Sequence, residues 1–291
     1  MRVTRFQYPL EDSLIKKLDV ICNRINGNGK KKDAELIIEG KEGEGKTTMS
    51  IAIAYYIAEK TGRDFSHKDV YFDVSDMIPI AQKTSGKIFI WDEPALQALS
   101  TDWAKKQVVD LKRLIMMARK RRHLFMINMT KFSQFGEYFV VDRAVAMVRV
   151  YSRNEMDTQQ RFVWIPGKKL EALWRDYRFS KKRNYKKYAS RKCRGVFPDI
   201  LNPDYKYNVL KEFNVDAYEK MKDKAIESIG KNDKVSMKPI EEKLIRTQYA
   251  ITKMPGTQEE KAKPLGINRM NLSLWARYPR KYPELFVESR L

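Results

Sequence analysis

Hydrophobic and polar positions along the chain first predict a helix. Residues 11–25 repeat apolar side chains at helical spacing, and the basic, glycine-containing stretch NGNGKKKD that follows predicts a break. The helical face that this pattern buries carries Leu14, Ile15, Leu18, Ile21, Cys22 and Ile25.

Between about residue 34 and residue 165, compact apolar runs alternate with longer helical segments. The runs AELIIE, VYFDV, KIFIW, LFMINM and AVAMVRVY have the length and composition of strands. Segments such as 47–60 and 102–122 have those of helices. This alternation predicts an α/β fold in which helices cover a mainly parallel sheet.

The second half of the chain has a different character. Residues 161–200 hold thirteen Lys or Arg against three Asp or Glu, and the polar stretch GKNDKVSMK separates a helical region from a small helical module at 240–278. We therefore expect four segments. They are an N-terminal helix and linker (1–33), an α/β core (34–165), a basic, partly helical extension (166–238) and a small all-α domain (239–291).

Composition and charge restrict the class of protein. The 291 residues are 43% hydrophobic, which supplies a core, yet no apolar run is long enough to span a membrane. The net charge of +21 favours a polyanionic partner, with nucleic acid first. Cys22 and Cys193 lie far apart and only two histidines are present, so we expect no structural zinc site and a reducing compartment. No targeting segment is evident, so we expect the cytoplasm, or that of a host cell if the protein is viral.

A phosphate-binding loop follows the run AELIIE and precedes an amphipathic helix. Its glycines allow the tight curl that points backbone N–H groups at phosphates, Lys46 supplies charge for the β and γ phosphates, and the Thr47 hydroxyl suits magnesium. The full G-x-x-x-x-G-K-T match and its neighbour comprise Gly40, Lys41, Glu42, Gly43, Glu44, Gly45, Lys46, Thr47 and Thr48. This motif predicts ATP and Mg²⁺ as cofactors.

An acidic pair ends the strand-like run KIFIW. Asp92 is in the position that a magnesium site needs, and Glu93 is in the position of a base that orients the attacking water. The order of the two motifs predicts one nucleotide site shared by the loop and this strand end.

With these two motifs, the chain resembles the additional-strand P-loop ATPases over roughly residues 34–151. That group includes the FtsK and HerA DNA pumps, viral genome-packaging ATPases, Zot-like proteins and AAA+ enzymes. The resemblance implies a helix, here 102–122, that leads to a further strand ending in a polar sensor residue. In LFMINMT the sensor would be Asn128 or Thr130, whereas the FtsK and HerA branch usually has Gln.

The loop KEGEGKTT also resembles that of the ParA and MinD partition ATPases, and Lys41 occupies the position of their signature lysine. Glu42 departs from that pattern, and those proteins lack an acidic neighbour such as Glu93. We keep this family as a minor alternative.

The resemblance further implies a homo-oligomeric ring, because a neighbouring subunit in this group inserts an arginine against the γ phosphate. Arg119 and Arg143 are the main candidates, with Arg121 and Arg122 beside the first. Each is also explained by a solvated or DNA-facing charge.

The basic extension mixes cations with aromatic residues between 172 and 190, a composition suited to phosphate contacts and stacking on bases. A solvated helix face with a core-facing aromatic stripe is the competing interpretation. The cations that we expect to contact DNA are Lys181, Lys182, Arg183, Lys186 and Lys187.

The stretch TQEEKAKPLGINRMNLSLWAR resembles the helix-turn-helix modules of phage and bacterial regulators. Ala262, Gly266 and Leu272 occupy its small, turn and buried positions, together with Ile267 and Trp275. The residues expected to begin the recognition helix and face DNA include Asn268, Arg269, Asn271 and Ser273. Such modules also serve protein contacts, and Pro264 is a mild departure.

Together these patterns predict an α/β P-loop NTPase with a mainly parallel sheet and a small all-α C-terminal helix-turn-helix domain. The expected function is an ATP-hydrolysing motor on double-stranded DNA, such as a viral or mobile-element translocation or packaging ATPase. The alternatives are an AAA+ type replication initiator or helicase loader that works with a replication partner protein, and a DNA-binding regulator switched by ATP. No carboxylate set after residue 165 suits a terminase-like nuclease.

Overall fold

The computed structural model describes most of the chain, divided into two compact units, Met1–Lys231 and Asn232–Leu291. The described ranges are 2–3, 9–26, 32–92, 102–134, 136–152, 160–197, 213–229 and 239–281. No helix within these ranges has the length and apolar composition needed to cross a lipid bilayer.

The first unit contains a small hairpin and a large sheet. Strands β1 (Arg2–Val3) and β2 (Pro9–Leu10) pair antiparallel. The described residues also form a seven-stranded sheet in the order β4-β5-β6-β3-β7-β8-β9. Its members are β3 (Ala34–Glu39), β4 (Val70–Tyr71), β5 (Ile88–Trp91), β6 (Leu124–Met129), β7 (Ala144–Tyr151), β8 (Gln160–Pro166) and β9 (Arg194–Phe197).

In this sheet order, the first five strands, β4, β5, β6, β3 and β7, are parallel to one another. Strand β8 is antiparallel to β7, and β9 is antiparallel to β8. Strand β6 lies between β3 and β5, and its register sets Ile38 beside Asn128 and Trp91 beside Ile127. The carboxyl ends of β3, β5 and β6 therefore meet at one edge of the sheet, and Asp92 is level with Asn128.

Helices cover both faces of this sheet, so the central strands are apolar on both sides. One face packs against α1 (Asp12–Asn26), α2 (Lys46–Thr61) and α7 (Val215–Ile229). The other packs against α3 (Val74–Lys83), α4 (Asp102–Met117), α5 (Gly167–Ser180) and α6 (Tyr185–Tyr188). The mainly parallel α/β fold that the alternating pattern predicts is confirmed.

The predicted N-terminal helix is present, and its six expected apolar side chains are buried. Four of the five predicted strands are observed, but VYFDV forms a strand only at Val70–Tyr71. The last residues of this run begin helix α3 instead, because the Asp73 side chain caps that helix by accepting a hydrogen bond from Ser75 N at 2.7 Å.

The sheet also extends beyond the strands that the pattern predicts. Strand β8, which ends where the basic segment 166–238 begins, pairs with β7. Strand β9, which lies inside that segment, pairs with β8. Helices α5 and α6 of that segment pack on the same sheet. Much of the basic segment is thus built into the first unit.

The second unit is helical among its described residues. It contains α8 (Pro239–Lys253), α9 (Gln258–Ala262), α10 (Arg269–Trp275) and α11 (Tyr278–Lys281). A short 3-10 turn that includes Pro264, and then Gly266 at φ +63°, separate α9 from α10. Ala262 and Leu272 are buried between these elements. Two short helices joined by a tight turn are thus present where expected, and their assignment to DNA binding stays a prediction.

Candidate nucleotide and magnesium site

The predicted phosphate loop connects the carboxyl end of β3 to the amino end of α2. Gly43 and Gly45 adopt left-handed backbone conformations, with φ of +76° and +82°, which residues with a side chain rarely adopt. A Cβ on Gly45 would also lie 2.1 Å from Oε1 of Gln160. The sequence therefore curls tightly at this point and opens α2 with its N–H groups toward the carboxyl edge of the sheet.

Side chains of the loop hold it in this shape. The buried Lys46 donates from Nζ to the carbonyl oxygen of Lys41 at 2.9 Å, so its ammonium group lies inside the curl. The Glu44 carboxylate accepts from Lys41 N at 2.6 Å. Gly40 donates to Met129 O at 3.1 Å, which ties the start of the loop to β6. The loop is thus ordered by contacts to its own backbone and to the neighbouring strand.

Asp92 meets Thr47 and Asn128 at this edge. The Thr47 hydroxyl lies 3.0 Å from both carboxylate oxygens of Asp92, and Asn128 donates from Nδ2 to Oδ1 at 2.6 Å. Asn128 is itself held by the Ser50 hydroxyl of α2, which donates to its side-chain carbonyl. The loop, the strand that carries Asp92 and the intervening strand therefore converge on one carboxylate.

This donor set fits magnesium. Mg²⁺ prefers hard oxygen ligands and is usually bound through one or two protein oxygens, with water and phosphate completing its shell. Thr47 and Asp92 bring a hydroxyl and a carboxylate together in that way. Within the described ranges, no group of three or more His, Cys, Asp or Glu side chains has the arrangement of another metal site.

A residue that the sequence patterns did not indicate also reaches Asp92. Tyr218 of α7 donates from its hydroxyl to Oδ2 of Asp92 at 2.8 Å. Burial first, and then the neighbouring Asp92, raise the pKa of Tyr218 far above its usual value, so the phenol remains a donor. No local motif marks this tyrosine, because its role depends on where α7 packs.

The other predicted catalytic residues differ in position. Thr130 is half-buried just beyond the end of β6. Glu93 lies outside the described residues, so its assignment as the base stays a prediction. Of the two sensor candidates, Asn128 is the one seen in contact with Asp92.

Both arginine-finger candidates lie at the opposite edge of the sheet from the loop. Arg119 is exposed in the 3-10 turn Ala118–Arg121, which precedes the amino end of β6. Arg143 immediately precedes β7 and forms an ion pair with the buried Asp33. Neither arginine lies at the loop edge of the sheet in its own chain. A role for either as a finger in another subunit stays a prediction.

No protein-family model matches the chain, and no curated protein matches its sequence. Among solved structures, a KaiC-like protein of Pyrococcus horikoshii is 13% identical, with a TM-score of 0.36 over 50% of this chain and 83% of that one. The flagellar accessory protein FlaH of Methanocaldococcus jannaschii is 14% identical, with a TM-score of 0.27 over 51% and 83%. A RuvB variant of Thermotoga maritima is 13% identical, with a TM-score of 0.34 over 94% and 87%. The assignment of the site therefore rests on the contacts of Lys46, Thr47 and Asp92.

The basic segment borders the phosphate loop. The lining of a cavity of about 460 Å³ includes Lys41 and Glu44 of the loop together with Arg149, Arg183 and Lys186. Most of its charged lining is positive. Two residues of the predicted DNA-contact set thus lie beside the loop.

Two residues of the cavity lining, Arg149 and Tyr185, are held by the buried Glu39. Glu39, at the end of β3, pairs with Arg149 at 2.8 Å and accepts a hydrogen bond from the Tyr185 hydroxyl. Burial raises the pKa of Glu39, and the charge of Arg149 opposes that shift. The Arg149 guanidinium lies 3.9 Å from the centre of the Tyr185 ring. Helix α6 is therefore attached directly to the strand that precedes the loop.

The aromatic residues of the basic segment serve mostly as core. Trp174 and Tyr188 are buried, and Trp174, Tyr177 and Tyr185 pack around Phe132. This packing favours the competing interpretation of a core-facing aromatic stripe for these rings, and stacking on bases stays a prediction for the remaining ring. Among the segment's described aromatic residues, only Phe179 is largely exposed, at 85%.

The predicted DNA-contact cations are exposed but differ in their partners. Lys187 pairs with Asp176 at 2.9 Å, and Lys181 lies 5.8 Å from the centre of the Tyr177 ring. Lys182 is exposed next to them, whereas Arg183 and Lys186 line the cavity. The structure thus divides this set into two groups.

In the second unit, two of the predicted DNA-facing residues have structural partners. Asn268 caps α10 by accepting from Met270 N at 3.0 Å, and Ser273 donates to Oε1 of Gln258 at 3.4 Å. Asn271 is exposed, and the side chain of Arg269 lies outside the described set.

Proposed function

We propose that the chain is a magnesium-dependent ATPase that moves double-stranded DNA as a homo-oligomeric ring, in the manner of a viral or mobile-element translocation or packaging motor. The observation that carries the ATPase part is the convergence of Thr47, Asp92 and Asn128 beside a glycine-rich loop at a helix N-terminus. If the glycine-rich loop were only a surface turn, nothing would require the buried Asp92 carboxylate beside it.

Each residue has a distinct role in this proposal. The loop N–H groups and Lys46 bind the phosphates, while Thr47 and Asp92 hold magnesium, which when bound offsets the negative charge of the transferring phosphoryl group. Asn128 orients Asp92 and faces the same edge of the sheet. Glu93, the residue after Asp92, orients the attacking water.

Nucleotide binding and phosphate release by purified protein test the ATPase part. Lys46→Ala should abolish binding of a fluorescent ATP analogue, and Glu93→Gln should bind it while nearly abolishing phosphate release. Lys60→Ala is a matched control, because Lys60 is an exposed lysine on the same helix. Normal hydrolysis by Glu93→Gln would refute the assignment of the base.

The DNA part is supported by charge and position. The net charge is +21, and Arg183 and Lys186 line the same cavity as Lys41 of the phosphate loop. DNA bound along this segment would place its phosphates next to the nucleotide site, which provides a direct route for DNA to alter hydrolysis. Duplex DNA should therefore stimulate phosphate release, and an unchanged rate at saturating DNA would contradict the coupling.

The second candidate function is an AAA+ type replication initiator or helicase loader, and the observation that favours it is the pair of short helices α9 and α10 in the second unit. In that case the helical module would bind a replication origin, and ATP binding would drive assembly of several subunits there. Processive movement on duplex DNA with free ends separates the two functions, because only a motor displaces a bound roadblock along the duplex.

A further inference from the structure

Tyr218 brings helix α7 to the centre of the magnesium site. Its hydroxyl donates to Oδ2 of Asp92 at 2.8 Å, the same carboxylate that the Thr47 hydroxyl contacts. A single phenol therefore contacts one of the two side chains that we assign to magnesium, although it lies 126 positions after Asp92.

Packing alone does not account for this hydroxyl. The Tyr218 ring packs against Phe213 at a centroid distance of 5.8 Å and against Phe72 at 5.9 Å, contacts that a phenylalanine would also make. The side chain is 1% exposed, and a phenol buried to this extent needs a hydrogen-bond partner. Its partner is the carboxylate at the end of β5.

The three donors around Asp92 limit how its carboxylate can turn. Asn128 donates to Oδ1, Tyr218 donates to Oδ2, and the Thr47 hydroxyl bridges both oxygens. A carboxylate has about four lone-pair sites, and these donors engage both of its oxygens. The carboxylate is thereby fixed in one rotation before any metal arrives.

We propose that Tyr218 is a positioning residue for magnesium, which it favours by orienting the Asp92 carboxylate, so that α7 forms one wall of the metal site. The proposal rests on the proposed ATPase function, since it concerns the same site. Residues that orient a metal ligand from outside the coordination shell typically contribute about 10- to 100-fold to metal affinity. A movement of α7 would withdraw the hydroxyl and weaken magnesium binding.

The test measures metal-dependent nucleotide binding rather than turnover. Binding of a fluorescent ADP analogue is titrated with Mg²⁺ for the full chain and for Tyr218→Phe, with a parallel titration in EDTA. We expect the Mg²⁺ midpoint to rise about 10- to 100-fold in Tyr218→Phe, while affinity in EDTA stays within about twofold, because the loop contacts to phosphate are unchanged.

Two control variants separate the hydroxyl from general effects on packing. Tyr56→Phe removes a tyrosine–aspartate hydrogen bond of 2.6 Å, to Asp19, that also involves α2 but lies away from Asp92. Phe213→Leu loosens the packing around the Tyr218 ring without removing a donor. Both should keep the Mg²⁺ midpoint of the unaltered chain, and thermal unfolding is recorded for every variant.

The outcomes distinguish this proposal from the proposed function. An unaltered chain that binds no nucleotide, with or without Mg²⁺, would overturn both. Metal-dependent binding by the unaltered chain with the same midpoint in Tyr218→Phe would overturn only the role of Tyr218. A Tyr218→Phe protein that does not fold, or an equal shift in Phe213→Leu, would also overturn it, because the hydroxyl or the helix would then serve stability alone.

Discussion

Arg143 forms an ion pair with the buried Asp33 at the edge of the sheet opposite to the phosphate loop. Their side chains are 14% and 1% exposed, and the two residues immediately precede the parallel strands β7 and β3. A guanidinium held in this way contributes to the fold, whereas a finger that enters another subunit must be able to leave its own surface. This contact favours Arg119 over Arg143 as the finger.

The first prediction concerns the stability of these arginine variants. Arg143→Ala should lower the free energy of unfolding by up to about 3 to 5 kcal/mol, because it removes the ion-pair partner of the buried Asp33. Arg119→Ala should change it by less than about 0.5 kcal/mol, because Arg119 is exposed. Urea denaturation measures both, and equal stability of the two variants would contradict the structural role of Arg143.

The second prediction tests Arg119 as a finger in trans. Arg119→Ala should bind ATP but hydrolyse it slowly, with a reduction of about 10³-fold or more if the arginine stabilises the transition state. Mixing it with Lys46→Ala should restore some turnover, because some interfaces then combine an intact loop with an intact arginine. Full activity of Arg119→Ala by itself would rule this arginine out.

The third prediction is a pH dependence that originates at Glu35. This carboxyl group is 1% exposed, neither of its oxygens finds a hydrogen-bond donor among the described residues, and burial raises its pKa well above the usual value. The folded chain keeps a proton that the unfolded chain releases above about pH 4.3. Stability is therefore lost as pH rises from that value toward the folded pKa, by about 1.4 kcal/mol per pH unit.

Glu35→Gln should remove that dependence. We expect the variant to be more stable than the unaltered chain at pH 8, with a difference that shrinks as pH falls toward 4, in urea denaturation series at several pH values. Glu59→Gln, at an exposed position of α2, is the control and should leave the pH profile unchanged. Parallel profiles for Glu35→Gln and the unaltered chain would contradict a protonated Glu35.

The fourth prediction separates the two groups of cations in the basic segment. Reversing Arg183 and Lys186 together should lower the steepness of the salt dependence of duplex binding by about one unit for each phosphate that is no longer neutralised. It should also abolish stimulation of phosphate release, because these residues border the phosphate loop. Reversing Lys181, Lys182 and Lys187 should weaken binding but keep stimulation, and the opposite division would place the coupling contacts elsewhere.

The fifth prediction concerns the second unit. Arg269→Ala should weaken binding to a preferred site by about 1 to 3 kcal/mol and barely change affinity for random duplex, because arginine suits bidentate pairing with guanine. Truncation at about residue 238 should remove sequence preference and keep salt-sensitive binding. Identical enrichment from a random duplex library by the full and truncated chains would indicate that α9 and α10 contact protein.

The local spacing of residues by itself determined much of this protein. The burial of one face of α1, the strand–loop–helix order around Lys46 and the position of Asp92 at a strand end all follow from neighbours within one or two turns or strands. Such patterns are readable because helical and strand periods are properties of short segments. The resemblance to additional-strand ATPases left Asn128 and Thr130 as alternative sensors, and the structure shows Asn128 in contact with Asp92.

Only the tertiary structure decided which distant residues meet. Tyr218 reaches Asp92, and Tyr185 reaches Glu39 across 146 positions, because of where α7 and α6 pack on the sheet. The same packing placed most of the described aromatic residues of the basic segment in or against the core and left its predicted DNA-contact cations exposed. The hydrophobic periodicity of a segment predicts which face of a helix or strand is buried. The element that packs against that face depends on the packing of the whole unit, which no single segment encodes.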